Sequence, residues 1–332
     1  MTDAARSSGG VDFVTFAAAN YSDWLELWLA SASRSNPESR LFVYDVSPLP
    51  SLELKAQVAR FSMATVVPWP QNEWRWPAWV ETTDFKFFWP GFGLRDEIKR
   101  WSRRLRHALT GRRKDDWMID KLRWVEGKQF FVRICCQKPY IIRDALHRTD
   151  RPLAYVDADA VVLERFSSYP GGDSDVAVTV VDADQVRIGG AWEPVGPDGP
   201  LPVSVINAGV VFANRSVGAA RVLDAWIDEM SRVRHGGADQ TALANLLYRI
   251  APTFFETMLP VKANAPSGDF IVACLPCARF NQVRVRPTGI GAGVAIAHFV
   301  GSWKQRERAH LVSSIVGQAW ERRALGAGRT NS

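Results

Sequence analysis

The chain has 332 residues with a formal net charge of +6, 47% hydrophobic and 23% charged. This is ordinary for a globular enzyme of one large domain. No apolar run approaches the roughly 20 residues needed to span a bilayer, and Met1 to Gly10 lacks the apolar segment of a secretory signal. A cytoplasmic protein, at most peripheral at the inner face of a membrane, is therefore expected.

In chain order, Val11 to Ala17 is short, β-branched and aromatic, the pattern of a buried strand. Asn20 to Asp23 opens a helix in which Trp24, Leu25, Trp28 and Leu29 recur at helical spacing until Asn36-Pro37. Leu41 to Val46 is a second strand, and Val66-Val67 a third. Strand, helix and strand within about 40 residues make a βαβ unit and so a parallel sheet. A helix is expected from Gln129 to Leu146, then one apolar strand from Leu153 to Leu163 interrupted by two acids. Val176 to Val181 and Val205 to Ala213 read as strands, with a Gly- and Pro-rich loop at 184–204 between them. Ala219 to Arg232, Ala238 to Arg249 and Gln305 to Ala324 read as helices.

The stretch Trp69 to Trp124 breaks this rhythm. It holds eight of the fourteen tryptophans, and Pro68, Pro70, Pro77 and Pro90 exclude long regular elements from its first half. Residues 94–109 have helical spacing. Lys99 to Lys114 carries eight cations and no acid, more than the whole net charge, so the remainder of the chain is net acidic. The stretch reads as an insertion into a single catalytic domain spanning 1–332 and as a candidate acceptor-binding region. Its tryptophans are suited to core packing or to stacking on sugars or bases. Its cationic face, 98–114, is either a solvated helix face or a contact for an anionic membrane or nucleic acid. The adjacent Cys135 and Cys136 and the lone Cys274-x-x-Cys277 read as buried thiols, because vicinal cysteines rarely supply two zinc ligands.

Chemistry concentrates in Ala154-Tyr155-Val156-Asp157-Ala158-Asp159-Ala160-Val161-Val162-Leu163. A carboxylate inside an apolar strand needs a charge partner. In an extended chain Asp157 and Asp159 project to one side, where two hard oxygens suit Mn²⁺ or Mg²⁺ bridging a diphosphate. Three further segments accompany them: Asn207-Ala208-Gly209-Val210, Asp239-Gln240 at a helix start, and His298-Phe299-Val300-Gly301-Ser302-Trp303-Lys304. Asp239 could cap its helix, and Gln240 could reach a sugar hydroxyl. His298, Gly301 and Lys304 could supply a metal ligand, a close backbone approach and a phosphate-binding ammonium. Lys138, ahead of the acidic strand, is open to two readings: a donor-binding lysine or a solvated helix-start lysine.

In this order the motifs resemble the GT-A glycosyltransferases, within them the retaining family of glycogenin and the lipopolysaccharide galactosyltransferases, family 8. The resemblance runs over about residues 11–60 and 130–305. It implies an α/β GT-A fold, with a Rossmann-like, mostly parallel central sheet and helices on both faces. It further implies transfer of a sugar, with retention, from a nucleotide diphosphate donor, commonly a uridine diphosphate sugar, to a hydroxyl of an anionic or glycan acceptor. By it, Asp157, Asp159 and His298 hold Mn²⁺ or Mg²⁺. Ala17, Asn20 and Tyr21 hold the nucleotide, Gly301 and Lys304 the diphosphate, Asn207 lines the sugar with Asp239 and Gln240, and Lys138 and Ala208 are further donor-binding positions. Asp239 and Gln240 act on the reacting sugar. The chain departs from the family where Thr241 follows Asp239-Gln240, where Gln305 follows Lys304 and where no acid lies in Ala18–Asn20. Three alternatives stay open from the sequence: a glycosyltransferase of modified DNA bases, a nucleic-acid-binding protein and a nucleotidyltransferase. The last would need a Gly-rich basic loop after the first strand, where Ala17-Ala18-Ala19-Asn20-Tyr21 stands.

Overall fold

The computed structural model describes residues 10–18, 21–81, 127, 129–180, 193–194, 200–201, 206–233, 237–251, 259–265, 268–282, 290–299, 314 and 316–321. The βαβ opening forms as the spacing predicts: β1 (Asp12–Ala17), α1 (Ser22–Ser35), β2 (Leu41–Asp45), α2 (Leu52–Val58) and β3 (Ala64–Pro68). α3 (Lys138–Arg148) leads into β4 (Leu153–Val156), and β5 (Ala160–Val162) and β6 (Val176–Val180) follow. Beyond a two-residue hairpin, β7 (Glu193–Pro194) and β8 (Pro200–Leu201), come β9 (Ile206–Ala213), α4 (Val217–Arg232) and α5 (Ala238–Ile250). β10 (Val261–Ala265), β11 (Gly268–Pro276), the short α6 (Cys277–Phe280) and β12 (Ile296–His298) complete the named elements.

Eight strands form one sheet in the order β10-β11-β6-β9-β4-β1-β2-β3. Six of them run in one direction, and β9 and β10 oppose them. Successive side chains of a strand face opposite sides, so a sheet covered on both faces must be apolar at every position. In β4, Leu153 and Tyr155 enter the cluster under α3, α4 and α5, whereas Ala154 and Val156 enter the cluster under α1, α2 and α6. β2 divides in the same way, Phe42 and Tyr44 against Leu41 and Val43. This is the α/β architecture expected from the sequence.

Two expected elements are broken. The helix expected from Gln129 to Leu146 is helical at 129–135, turns at 136–137 and restarts as α3. Pro139, with no N–H to donate, occupies the first turn of α3, where that donor is not needed. The strand expected from Leu153 to Leu163 ends at Val156. The backbone N–H of Ala160 donates to the Asp157 carbonyl at 3.0 Å, closing a turn. β5 then leaves the main sheet and pairs antiparallel with β12. Asp157 and Asp159 thus converge through a turn and not through the alternation of a strand.

The tryptophan-rich stretch divides at the edge of the described residues. Within 69–81, Trp74 and Trp79 are buried, and Trp69 and Trp76 pack against the same core. Trp74 and Trp79 are therefore core residues, and Trp69 and Trp76 are half-buried at its margin. The remainder of the insertion, with the helix expected at 94–109 and the cationic face 98–114, lies outside the described residues. Among the described residues no helix is long and apolar enough to cross a membrane.

At the amino ends of the parallel strands, Asp12 is fully buried and saturated. It accepts from the Arg40 backbone N–H at 2.9 Å, from Arg40 Nε at 2.8 Å and from the Thr149 hydroxyl at 2.6 Å. Removing one partner of a buried pair leaves the others desolvated without compensation, a cost of several kcal/mol, moderated here because Arg40 reaches solvent. Asp12→Ala is expected to lower the free energy of unfolding by about 3 kcal/mol in urea denaturation. A loss below about 1 kcal/mol would show that this joint does not hold β1 in register.

Candidate active site at the carboxyl end of the sheet

The site forms where β4, β9, the β5–β12 ribbon and two helices end together. β4 and β9 are antiparallel neighbours, and the Asp157 N–H donates to the Gly209 carbonyl at 2.8 Å, which sets the acidic turn beside β9. The β5–β12 ribbon places His298 opposite Ala160, and the Phe299 N–H donates to the Asp159 carbonyl at 3.0 Å. His298 Nε2 then lies 3.1 Å from Asp159 Oδ1 and 3.6 Å from Asp157 Oδ2. Burial works against the imidazolium, but Asp159 and then Asp157 outweigh it and hold the His298 pKa above its usual 6.5.

The other two elements are helix starts. Lys138, in the first turn of α3, extends a buried side chain along the ring of Tyr155, with Nζ 5.1 Å from the ring centroid. Its ammonium lies 2.9 Å from Asp239 Oδ2 and 3.4 Å from Asp157 Oδ1, and donates to the Ala208 carbonyl at 3.0 Å. Desolvation alone would lower the Lys138 pKa, yet Asp157 and Asp239 raise it well above the normal range. Of the two readings of this lysine, the solvated one is overturned. Asp239 lies in the first turn of α5, where its charge suits the helix dipole, and the Trp226 indole N–H donates to its backbone carbonyl at 2.7 Å. Its carboxylate is directed to Lys138 and does not cap the helix; Gly237 is the N-cap, with no side-chain cap bond.

The remaining candidates divide. Gln240 Oε1 accepts from the Ala208 N–H at 3.3 Å, and Asn207 Oδ1 from the Gly209 N–H at 2.9 Å, so both brace β9. Ala17 is at the carboxyl end of β1, the same edge as Asp157, since β1 and β4 are parallel. Tyr21 has its hydroxyl pKa pushed up to about 12 by burial and then by Asp159, Cys135 and Asp157, which puts it beside the acidic pair. Asn20, Gly301 and Lys304 lie outside the described residues. None of the four cysteines is in a disulfide. Burial, then the Asp239 charge, pushes the Cys135 thiol well above its usual range, so it is a neutral neighbour of the site.

Four contributors had no role assigned from the sequence, although Tyr155 and Gly209 lie within its motifs. The Tyr155 hydroxyl donates to Asp157 Oδ1. Gly209 is needed because a Cβ there would lie 2.2 Å from His298 Cε1 and 2.8 Å from Asp157 Oδ2. Asn281 Oδ1 is 2.9 Å from His298 Nδ1, and Thr179 Oγ1 accepts from Asn281 Nδ2 at 2.8 Å. Thr179 had left a signal, as the one hydroxyl in the otherwise aliphatic β6. Asn281, between a short helix and a loop, had left none.

Among the described residues, Asp157, Asp159 and His298 have ligand atoms that all lie within 4.8 Å of one another. Two carboxylates and an imidazole suit Mn²⁺ or Mg²⁺. With neutral His298, three carboxylates and one ammonium leave two formal negative charges, the complement of one divalent cation. The donor set fits.

No family model and no curated protein matches the chain. Among solved structures it is similar to the bifunctional glycosyltransferase WbbM in its apo form, at 12% identity and TM-score 0.46, over 91% of this chain and 47% of that one. It thus spans about half the length of that protein. It is also similar to the galactosyltransferase LgtC in complex with donor and acceptor sugar analogs, at 14% identity and TM-score 0.42, over 92% of this chain and 96% of that one. A third is mouse xyloside xylosyltransferase 1, apo form, at 13% identity and TM-score 0.43, over 87% of this chain and 97% of that one. All three are glycosyltransferases. With every one of these TM-scores below 0.5 the likeness carries nothing further, and the chemistry of the site rests on its own side chains.

Gly209→Ala tests the packing of the site. The added methyl group displaces His298 or Asp157, which should cost about 1–3 kcal/mol of stability and weaken Mn²⁺ binding by about tenfold or more. Calorimetric titration with Mn²⁺ and a thermal melt read both; wild-type affinity in the variant would show that β9 does not shape the site.

Proposed function

We propose that the chain is a metal-dependent glycosyltransferase that moves a sugar, with retention, from a nucleotide diphosphate donor to a hydroxyl acceptor. The observation that carries this reading is the Asp157–Asp159–His298 group at the carboxyl end of a mostly parallel sheet, with the buried Lys138–Asp239 pair against it. Ligands of α/β sheets bind beyond the carboxyl ends of the strands, and β1, β4 and α1 meet there.

The roles follow from charge and position. Asp157, Asp159 and His298 hold Mn²⁺ or Mg²⁺, which when bound offsets the charge that develops on the leaving diphosphate. Ala17, Asn20 and Tyr21 face the nucleotide, and Lys304, with the Gly301 backbone, the diphosphate. Asn207 and Ala208 present the bulged end of β9 to the sugar. Asp239, its charge shared with Lys138, stabilises positive character at the anomeric carbon and is not free to act as a nucleophile. The departing diphosphate takes the acceptor proton on the front face, so no side-chain base is required. A uridine nucleotide is the favoured donor, and residues 82–124 are assigned to an anionic or glycan acceptor, with 98–114 reaching lipid or nucleic-acid phosphate.

Asp159→Asn removes one metal-ligating charge while keeping shape. Incubated with a panel of nucleotide sugars and Mn²⁺, the wild type is expected to release nucleoside diphosphate slowly by donor hydrolysis. The variant should be at least 100-fold slower, with an unchanged melting temperature in the absence of metal. Equal rates, or full wild-type activity in excess chelator, contradict the metal-dependent reading.

A further inference from the structure

From the hydrogen bonds behind His298 we infer that Asn281 is a positioning residue that selects the His298 tautomer able to take a divalent cation. The inference rests on the metal-dependent reading above and concerns the residues behind that site.

The orientation of the Asn281 amide is forced by its partners. Asn281 is fully buried, and its Nδ2 lies 2.8 Å from Thr179 Oγ1 and 3.2 Å from the Asn207 carbonyl oxygen. A carbonyl oxygen only accepts, so the group facing it must be the NH₂. The Thr179 hydroxyl spends its own proton on the same Asn207 carbonyl, at 2.8 Å, and is left to accept from Asn281. Oδ1 must therefore face His298 Nδ1, 2.9 Å away. An amide oxygen cannot donate, so Nδ1 carries the hydrogen, and in a neutral imidazole Nε2 is left with its lone pair. That lone pair is on the side of Asp159, at 3.1 Å, and Asp157, at 3.6 Å. Facing two carboxylates that only accept, Nε2 is satisfied either by a second proton, as in the imidazolium, or by a divalent cation in its place.

The three residues of this relay come from separate places, β6, the segment after α6, and β12, and all are buried. Behind them is the Asn207 carbonyl, which pairs with Thr179 just beyond the register shift between β6 and β9. A hydrogen bond to the remote nitrogen of a ligating histidine fixes its ring and raises its basicity, and its loss commonly weakens metal binding 10–100-fold.

The experiment compares Mn²⁺ affinity, read from the electron paramagnetic resonance of free Mn²⁺, in the wild type, Asn281→Leu and Asn281→Asp. Leucine keeps the volume and removes the acceptor, so affinity should fall about 10–100-fold. Aspartate keeps an acceptor for Nδ1–H but faces the Asn207 carbonyl without a donor. It should melt lower than the wild type yet bind Mn²⁺ within about threefold of it, whereas a merely structural residue would lose affinity in step with stability in both variants. ¹⁵N spectra of histidine in the Mg²⁺-loaded wild type give a second readout that depends on no variant: His298 Nδ1 should carry the proton. A wild type that takes up no Mn²⁺ overturns both this inference and the metal-dependent reading. Wild-type affinity in Asn281→Leu, equal losses in the two variants, or an unprotonated Nδ1 overturns the positioning role alone.

Discussion

The structure is organised around the unfavourable electrostatics of three carboxylates, Asp157, Asp159 and Asp239, gathered at one edge of an apolar sheet. Lys138 is the counter-charge the fold supplies, half-shared between Asp239 at 2.9 Å and Asp157 at 3.4 Å. Burying an ammonium costs several kcal/mol unless its partners stay charged and close, so the lysine is retained by the acids as much as the acids by the lysine. Asp159 receives no part of it. Among the described residues its ion-pair partner is His298, and the imbalance suits a divalent cation.

The topology turns this local charge problem into a site. A fully parallel sheet would run every strand the same way past β4; the reversed β9 instead returns its amino end, with Asn207, Ala208 and Gly209, to the edge where Asp157 ends β4. The turn at Asp157–Asp159 then exports the chain to the β5–β12 ribbon, which returns His298 from more than a hundred residues away. α3 and α5 point their first turns at the same place, so that Lys138 and Asp239 meet under β9. Packing holds these helix starts: Trp226, fully buried, anchors the backbone of Asp239.

Much of this was legible from residue patterns because the signals were local. The βαβ opening follows from short apolar runs separated by an amphipathic segment. The acids stood out because Asp157 and Asp159 interrupt an apolar run in which the Tyr155 hydroxyl is the one other polar side-chain group. What was not legible depends on pairing across long sequence distance. Nothing in Leu153 to Leu163 marks where the strand breaks, because Ala160 to Val162 is as apolar as β4; its partner β12 decides. β10 and β11 were missed: β10 mixes small and polar residues without a clean alternation, whereas Phe270 to Leu275 of β11 is an apolar run that was readable as a buried strand. Asn281 was invisible, since its role lies in the orientation of one amide against Thr179, Asn207 and His298. The tryptophans of 69–81 read more readily as core than as stacking surface, and Trp74 and Trp79 are buried in the same core as Val132 and Met230.

The central claim is that the charge left unbalanced by Lys138 is met by a divalent cation shared with a diphosphate. Crystals grown with Mn²⁺ and uridine diphosphate, measured at the manganese absorption edge, address it directly. The account predicts one anomalous peak within bonding distance of Asp157, Asp159 and His298 Nε2, with the diphosphate oxygens completing its coordination. An anomalous peak elsewhere, or a diphosphate bound at this edge with Lys138 swung out to neutralise it and no metal between the acids, would contradict it.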